Sequence, residues 1–229
     1  MRKLVVLSGA GMSAESGIKT FRDYGGLWEQ YHVHEIATPE AWHNNPGLVI
    51  DFYNQRRKQL YEVTPNEGHF ALKELENFFQ VDIITQNVDD LHERAGSSNV
   101  LHLHGELKKI RSTINPEYII LLDGWELKLG DKCPQGGQLR PHIVWFGEEV
   151  PLIDKAIEIV EEADIMLVVG TSLNVYPAAG LLQHFTHHKP VYLIDPNKVE
   201  TRRSSINFIQ KTAVNGISSV SKELIKLFA

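Results

Sequence analysis

The sequence predicts an α/β fold, a doubly wound parallel sheet with a small inserted lobe. Three observations predict it: short runs rich in Val and Ile alternate with stretches of helical periodicity, each run stops at a glycine or polar cluster, and two less regular stretches interrupt the alternation. Residues 4–7 form the first strand and end at Ser8-Gly9-Ala10-Gly11. Helices are expected at about 47–61 and 66–79, and the strand at 81–85 ends at Gln86-Asn87-Val88-Asp89. A helix at 152–163 leads to a strand at 165–169 that ends at Gly170-Thr171-Ser172. A helix at 177–188 leads to a strand at 191–194 that ends at Asp195-Pro196-Asn197, and a helix at 218–228 closes the chain. In a parallel sheet these clusters share the carboxyl edge, where ligands bind. The irregular stretches 23–64 and 109–138 make the small lobe, which leaves 1–22, 65–108 and 139–229 for the sheet domain.

With 229 residues, 42% of them hydrophobic and 23% charged, the chain can bury a core without disulfides. Lys+Arg 23 against Asp+Glu 29 gives a net charge of −6, the wrong balance for an electrostatic grip on nucleic acid or anionic membrane. No apolar run approaches the roughly 20 residues that span a bilayer. The run after Met1-Arg2-Lys3 is short and leads straight into glycines, unlike a secretion signal. A cytoplasmic protein without nucleic-acid or membrane partners is expected, its oligomeric state not legible. The single cysteine, Cys133, excludes an intrachain disulfide.

Gly9-Ala10-Gly11-Met12-Ser13-Ala14 fits G-x-G-x-x-G/A directly after a strand. Glycines there allow a tight turn and close approach of backbone amides to a pyrophosphate, so the sheet is expected to be Rossmann-like and to bind a dinucleotide. A strand-to-helix turn that merely needs glycine is the plainer reading of so short a motif. No Lys-Ser/Thr follows the glycines, against a P-loop, and no acid ends a second strand about 20 residues on, against an ordinary dehydrogenase.

Extended through Glu15-Ser16-Gly17-Ile18 and Thr20-Phe21-Arg22, this run resembles the opening motif of the sirtuins, NAD-dependent protein lysine deacylases. The resemblance continues, in the family's order, through Thr85-Gln86-Asn87-Val88-Asp89 with Leu91-His92, His104-Gly105-Glu106, Leu139-Arg140-Pro141 with Val144-Trp145-Phe146-Gly147-Glu148, Gly170-Thr171-Ser172 and Val175-Tyr176-Pro177. It implies that an acyl-lysine carbonyl oxygen attacks C1′ of the nicotinamide ribose and that the acyl group ends on ADP-ribose. His104 then activates a ribose hydroxyl, work suited to a neutral imidazole. Gln86 and Asn87 hold the nicotinamide ribose and its water, and Asp89 accepts from the carboxamide. By the same resemblance Gly9, Ala10, Gly11, Ser13, Ala14, Glu15, Phe21, Arg22, Gly170, Thr171, Ser172, Asp195 and Asn197 bind the rest of NAD. An acid at 195 accepts from a ribose diol and repels a 2′-phosphate, so NAD rather than NADP is expected. Phe146, Gly147 and Glu148, with Asn174 and Val175, hold an extended substrate peptide by strand addition.

Blander readings stand beside these. His104 is one of 11 histidines and could make only a local hydrogen bond, Asn87, Asp89 and Thr171 are helix-capping types, and Arg22 could be a surface charge. Tyr53 and Arg56, three apart on one helix face, could be a packed tyrosine beside a solvated arginine. Together with the small Ala37, they also resemble the pocket of the sirtuins that remove malonyl and succinyl groups. Where the family carries two Cys-x-x-Cys pairs, this chain has Arg111-Ser112-Thr113 and Cys133-Pro134-Gln135-Gly136. No metal is therefore expected, and Ile119, Ile120, Trp125, Leu127 and Leu129 are expected to pack a small core instead. An NAD glycohydrolase or ADP-ribosyltransferase, or a non-enzymatic NAD sensor, are the alternatives; the peptide segment argues against the first and the retained His104 and Asp89 against the second.

Overall fold

The computed structural model describes residues 1–18, 32–201, 203 and 205–229. Six parallel strands form one sheet: β1 (Lys3–Ser8), β2 (Gln80–Thr85), β3 (Val100–His102), β7 (Ile165–Val169), β8 (Val191–Ile194) and β9 (Asn207–Ile209), ordered β3-β2-β1-β7-β8-β9. The order reverses direction between β1 and β7, the topological switch point of a doubly wound sheet. Alternation along β1 dictates the layers: Leu4 and Val6 point to one buried cluster, Val5 and Leu7 to another on the opposite face. The first is covered by α5 (Glu67–Leu75) and α9 (Ala213–Phe228), the second by α7 (Ile153–Glu162) and α8 (Leu181–His184). Parallel register aligns Ser8 with Thr85 and with Val169, Thr85 with His102, and Val169 with Ile194, so all the predicted polar clusters emerge along one edge.

The small lobe contains α2 (Val33–Ile36), α3 (Pro39–Asn44) and the long helix α4 (Pro46–Glu62). It is joined by an antiparallel sheet of β4 (Gly105–Ser112), β5 (Ile119–Leu121) and β6 (Leu139–Ile143), in the order β5-β4-β6. Boundaries drawn at 108 and 139 thus cut through a paired sheet. The stretch expected to be irregular is partly regular, because β4 alternates buried and part-buried residues against β6. The expected replacement core is also different. Leu127 is buried, but its neighbours are Ile50, Ile110, Cys133 and Leu139, whereas Ile119, Ile120, Trp125 and Leu129 are exposed.

Three helix bounds differ from periodicity for local reasons. α5 stops at Leu75 because Glu76, Asn77 and Phe78 close tighter three-residue turns before β2. Residues 178–184 split into a 3-10 turn (Ala178–Gly180) and α8, after which the Arg203 guanidinium collects the carbonyls of Phe185, Thr186, His187 and Lys189 at 2.8–3.0 Å. α9 begins five residues early at Ala213; Gly216 weakens the periodic signal but lets the helix press on Ile194, where a Cβ would come within 2.2 Å of a methyl.

Candidate active site

Glycine brings two loops of the carboxyl edge into contact. The Gly9 amide donates to the Val169 carbonyl at 3.0 Å and the Gly11 amide to that of Gly170 at 2.9 Å. Gly170 has φ +63°, and a Cβ on it would stand 2.3 Å from the Met12 nitrogen of the short helix α1 (Gly11–Ala14), so nothing larger fits. Asn66, which the sequence reading passed over, clamps the loop from below: its amide donates to the Met12 carbonyl at 2.9 Å and to Ser16 Oγ at 3.1 Å while its Oδ1 caps α5. An Asn before a helical run was the available signal, but it announced only the cap.

A buried polar cluster follows β2. Asn87 donates from Nδ2 to Ser13 Oγ at 3.1 Å, and Ser13 donates to Asp89 Oδ2 at 3.0 Å. Asp89 also accepts the Leu91 amide at 3.2 Å, a turn that leads into α6 (Leu91–Arg94), while facing the cleft. Burial pushes the Asp89 carboxyl above the usual carboxylate range, against the pull of the Leu91 and Ser13 hydrogen bonds. Gln86 donates to Thr171 Oγ1 at 3.0 Å, which ties the β2 and β7 loops together, and Thr171 Oγ1 accepts the Leu173 amide as well.

His104 Nδ1 lies 3.1 Å from the Gln86 carbonyl oxygen. A carbonyl only accepts, so Nδ1 carries the proton and Nε2 keeps its lone pair. Burial lowers the imidazole below its ordinary value, partly offset by that carbonyl, which favours the neutral base. Gly105 then turns the chain at φ +82°, with the His142 carbonyl 2.1 Å from where a Cβ would be.

Across the cleft, Tyr53 and Arg56 project from α4. Tyr53 is buried, its Oη accepts from Trp145 Nε1 at 3.1 Å, and burial pushes its hydroxyl up to about 12, so it stays a protonated donor. Arg56 is half-buried, its guanidinium 5.8 Å from the Phe52 ring centroid. Buried Ala37 accepts the Phe146 amide at 3.0 Å. The segment expected to offer an extended edge is instead a turn, because the Glu148 amide donates to the Trp145 carbonyl at 3.0 Å and Gly147 has φ +91°. Glu148 is engaged on its own side of the lobe: it accepts from Arg140 at 2.7 Å, Arg111 at 3.2 Å and the Trp145 amide at 2.8 Å. Arg140 lies on the Trp145 ring, 3.2 Å from its centroid.

These groups line one cleft of about 760 Å³. Every expected site residue reaches it except Phe21 and Arg22, which lie outside the described residues. Ala10, Ala14, Ser172, Asn174, Val175 and Asn197 form parts of its wall. Glu15 lines it too, although its carboxylate accepts the Val214 amide of α9 at 2.9 Å. At the β8 end, Asp195 accepts the Asn197 amide at 2.8 Å through Oδ1. The volume, the glycine-only loop contacts and the carboxylate at the far end suit a dinucleotide. Among the described residues no three His, Cys, Asp or Glu converge as a metal site, and Cys133 instead receives the Ser112 hydroxyl at 3.1 Å.

Comparison with known proteins gives the same picture from outside. Residues 9–177 match the Sir2 family. An NAD-dependent protein deacylase of Bacteroides thetaiotaomicron is 58% identical, covering 98% of this chain and 99% of its own. One from Helicobacter pylori strain J99 is 53% identical over 99% and 97%. A solved Sir2 homologue in complex with NAD superposes with a TM-score of 0.89 at 38% identity, covering 99% of this chain and 91% of that one. A Sir2 protein solved with a deacetylated p53 peptide and 3′-O-acetyl ADP-ribose gives 0.80 at 27% identity, over 97% and 93%.

Proposed function

This chain belongs to the Sir2 family and is an NAD-dependent protein deacylase, and from that premise we propose that its cleft joins a reacting end at Asn87, Asp89 and His104 to an acyl end that takes carboxylate-bearing chains. NAD, when bound, supplies an ADP-ribosyl centre from which nicotinamide departs and to which the acyl group of lysine passes. Thr171, Ser172, Asp195 and Asn197 hold its adenosine side, with the glycine loop beneath the phosphates and Phe21 and Arg22 assigned by motif alone. Gln86 and Asn87 orient the reacting ribose. Asp89 and Ser13, linked at 3.0 Å, receive the carboxamide. His104 takes a hydroxyl proton at Nε2. Phe146, Gly147 and Glu148, with Asn174 and Val175, border the peptide. The single cysteine, and the lack among the described residues of a helix able to cross a membrane, support a cytoplasmic setting.

The observation that carries the acyl reading is the pairing of Tyr53 and Arg56 on one face of α4 within the cleft. With Trp145 donating to its oxygen, the Tyr53 hydroxyl proton is available to an acceptor, and the guanidinium adds charge-assisted donors. A succinyl or malonyl chain ends in a carboxylate that meets both; an acetyl group gains nothing from either. Charged hydrogen bonds of about 1.5–3 kcal/mol correspond to roughly 10- to 100-fold in rate. Arg56→Met is therefore expected to lower desuccinylation by roughly that factor and to spare deacetylation. Steady-state kinetics on matched acetyl- and succinyl-lysine peptides test it. Equal losses on both peptides would make Arg56 structural, and no desuccinylation by wild type would remove the acyl reading altogether.

A further inference from the structure

His102 ends β3 two residues before His104, and its buried ring meets an acceptor at each nitrogen. Nδ1 lies 3.0 Å from the Asn87 backbone oxygen and Nε2 lies 2.7 Å from Glu93 Oε1 on α6. Because a carbonyl only accepts, Nδ1 must carry a proton; a neutral ring would then aim its Nε2 lone pair at a carboxylate. A protonated Glu93 could donate to that lone pair, but His102 holds the Glu93 carboxyl below its ordinary range despite burial, so the carboxylate accepts and the doubly protonated ring is the form that satisfies both contacts. We propose that the His102–Glu93 ion pair positions Asn87, gripping its carbonyl so that its side-chain amide stays on Ser13 at the reacting end of the cleft. The Asn87 amide nitrogen is held by Thr85 Oγ1 at 3.0 Å and its Nδ2 by Ser13 at 3.1 Å, so His102 supplies the remaining anchor.

The charged and titratable neighbours agree with this state. Glu106 of β4, itself paired with Lys109, and Asp89 of the β2 loop add negative charge, whereas His92 of α6 is buried and neutral. Burial alone would lower His102, but the Glu93 hydrogen bond and charge outweigh it and raise the ring above 6.5. The two histidines of His102-Leu103-His104 are thus shifted in opposite directions, His102 towards a charged clamp and His104 towards a neutral base. As pH rises through the His102 value the clamp is lost, and turnover falls with it.

The inference rests on the assignment of Asn87 to the reacting end, and the experiment separates the two. kcat for an acetyl-lysine peptide is measured against pH for wild type, Glu93→Gln and Asn87→Ala, with NMR of 15N-labelled histidine following the His102 ring in wild type. Wild type is expected to lose about tenfold or more in kcat on an alkaline limb that coincides with the His102 titration above 6.5, with little change in peptide KM. Glu93→Gln, whose side-chain N–H can donate to a neutral ring, is expected to abolish that limb. Persistence of the limb at its wild-type position in Glu93→Gln, its absence in wild type, or a His102 titration at or below 6.5 overturns the proposal. Full activity of Asn87→Ala overturns the Asn87 assignment itself, whereas lost activity there with an unmoved limb overturns only the clamp.

Discussion

The tautomer of His104 is set by one acceptor, the Gln86 carbonyl at 3.1 Å, and its charge by burial. Because the lowered ring must be neutral to take a proton, activity is expected to persist below the ordinary histidine value of about 6.5 and to fall only as acid protonates Nε2. His104→Ala is expected to fold and bind NAD yet lose roughly 10²- to 10⁴-fold in turnover, checked by NAD titration beside steady-state kinetics; near-wild-type turnover would sink the assignment. Ser13, Asn87, Asp89 and His104 were legible in the sequence because each sits in a motif next to a strand end. His102 and Glu93 were not, since which carboxylate a histidine meets depends on how α6 and β3 pack, and neither residue type signals it. The turn at Phe146 also escaped notice, because a short aromatic run before glycine reads equally well as an edge strand.

At the scale of elements, the two loops joined by glycine are the least forgiving contact. Gly170→Ala forces a side chain into left-handed backbone, about 1–2 kcal/mol, and against the Met12 nitrogen at 2.3 Å. Melting is expected to drop by at least about 4 °C with loss of NAD binding, measured by calorimetry with and without NAD; an unchanged melting temperature would mean that the loops separate freely. The turn beside the peptide depends on Glu148 in the same way. Burial raises its carboxyl, but Arg140, the Trp145 amide and Arg111 together pull it below the usual range, so the clamp is fully made above about 4.5 and fails as pH falls through the lowered value. Its carboxylate is one-fifth exposed, which discounts the energy, so Glu148→Gln is expected to raise peptide KM by about tenfold and to change the kcat of saturated enzyme little. A kcat loss without a KM change would assign Glu148 to chemistry. Long elements were legible from period and apolar runs; β3, β5 and β9, three residues each, were not, because so few residues carry no period and sheet pairing alone defines them.

For the whole molecule, strand order decides where function lies: the reversal between β1 and β7 opens the sheet edge where the glycine loop and Gly170 meet, and the small lobe closes over it. That architecture could be read from alternation and glycine placement, whereas the antiparallel sheet could not, since the cluster of Ile110, Leu127, Cys133 and Leu139 closes only against Ile50 of α4, far away in sequence. With Cys133 held by Ser112 in that apolar cluster, purified protein is expected to carry well under one zinc per chain and to keep its activity in chelator, as elemental analysis with an activity assay will tell. The most direct test of the account is mass spectrometry of the products formed from NAD and a succinyl-lysine peptide. The cleft described here predicts nicotinamide, unmodified lysine peptide and succinylated ADP-ribose in equal amounts, whereas ADP-ribose formed with the peptide still succinylated would contradict it.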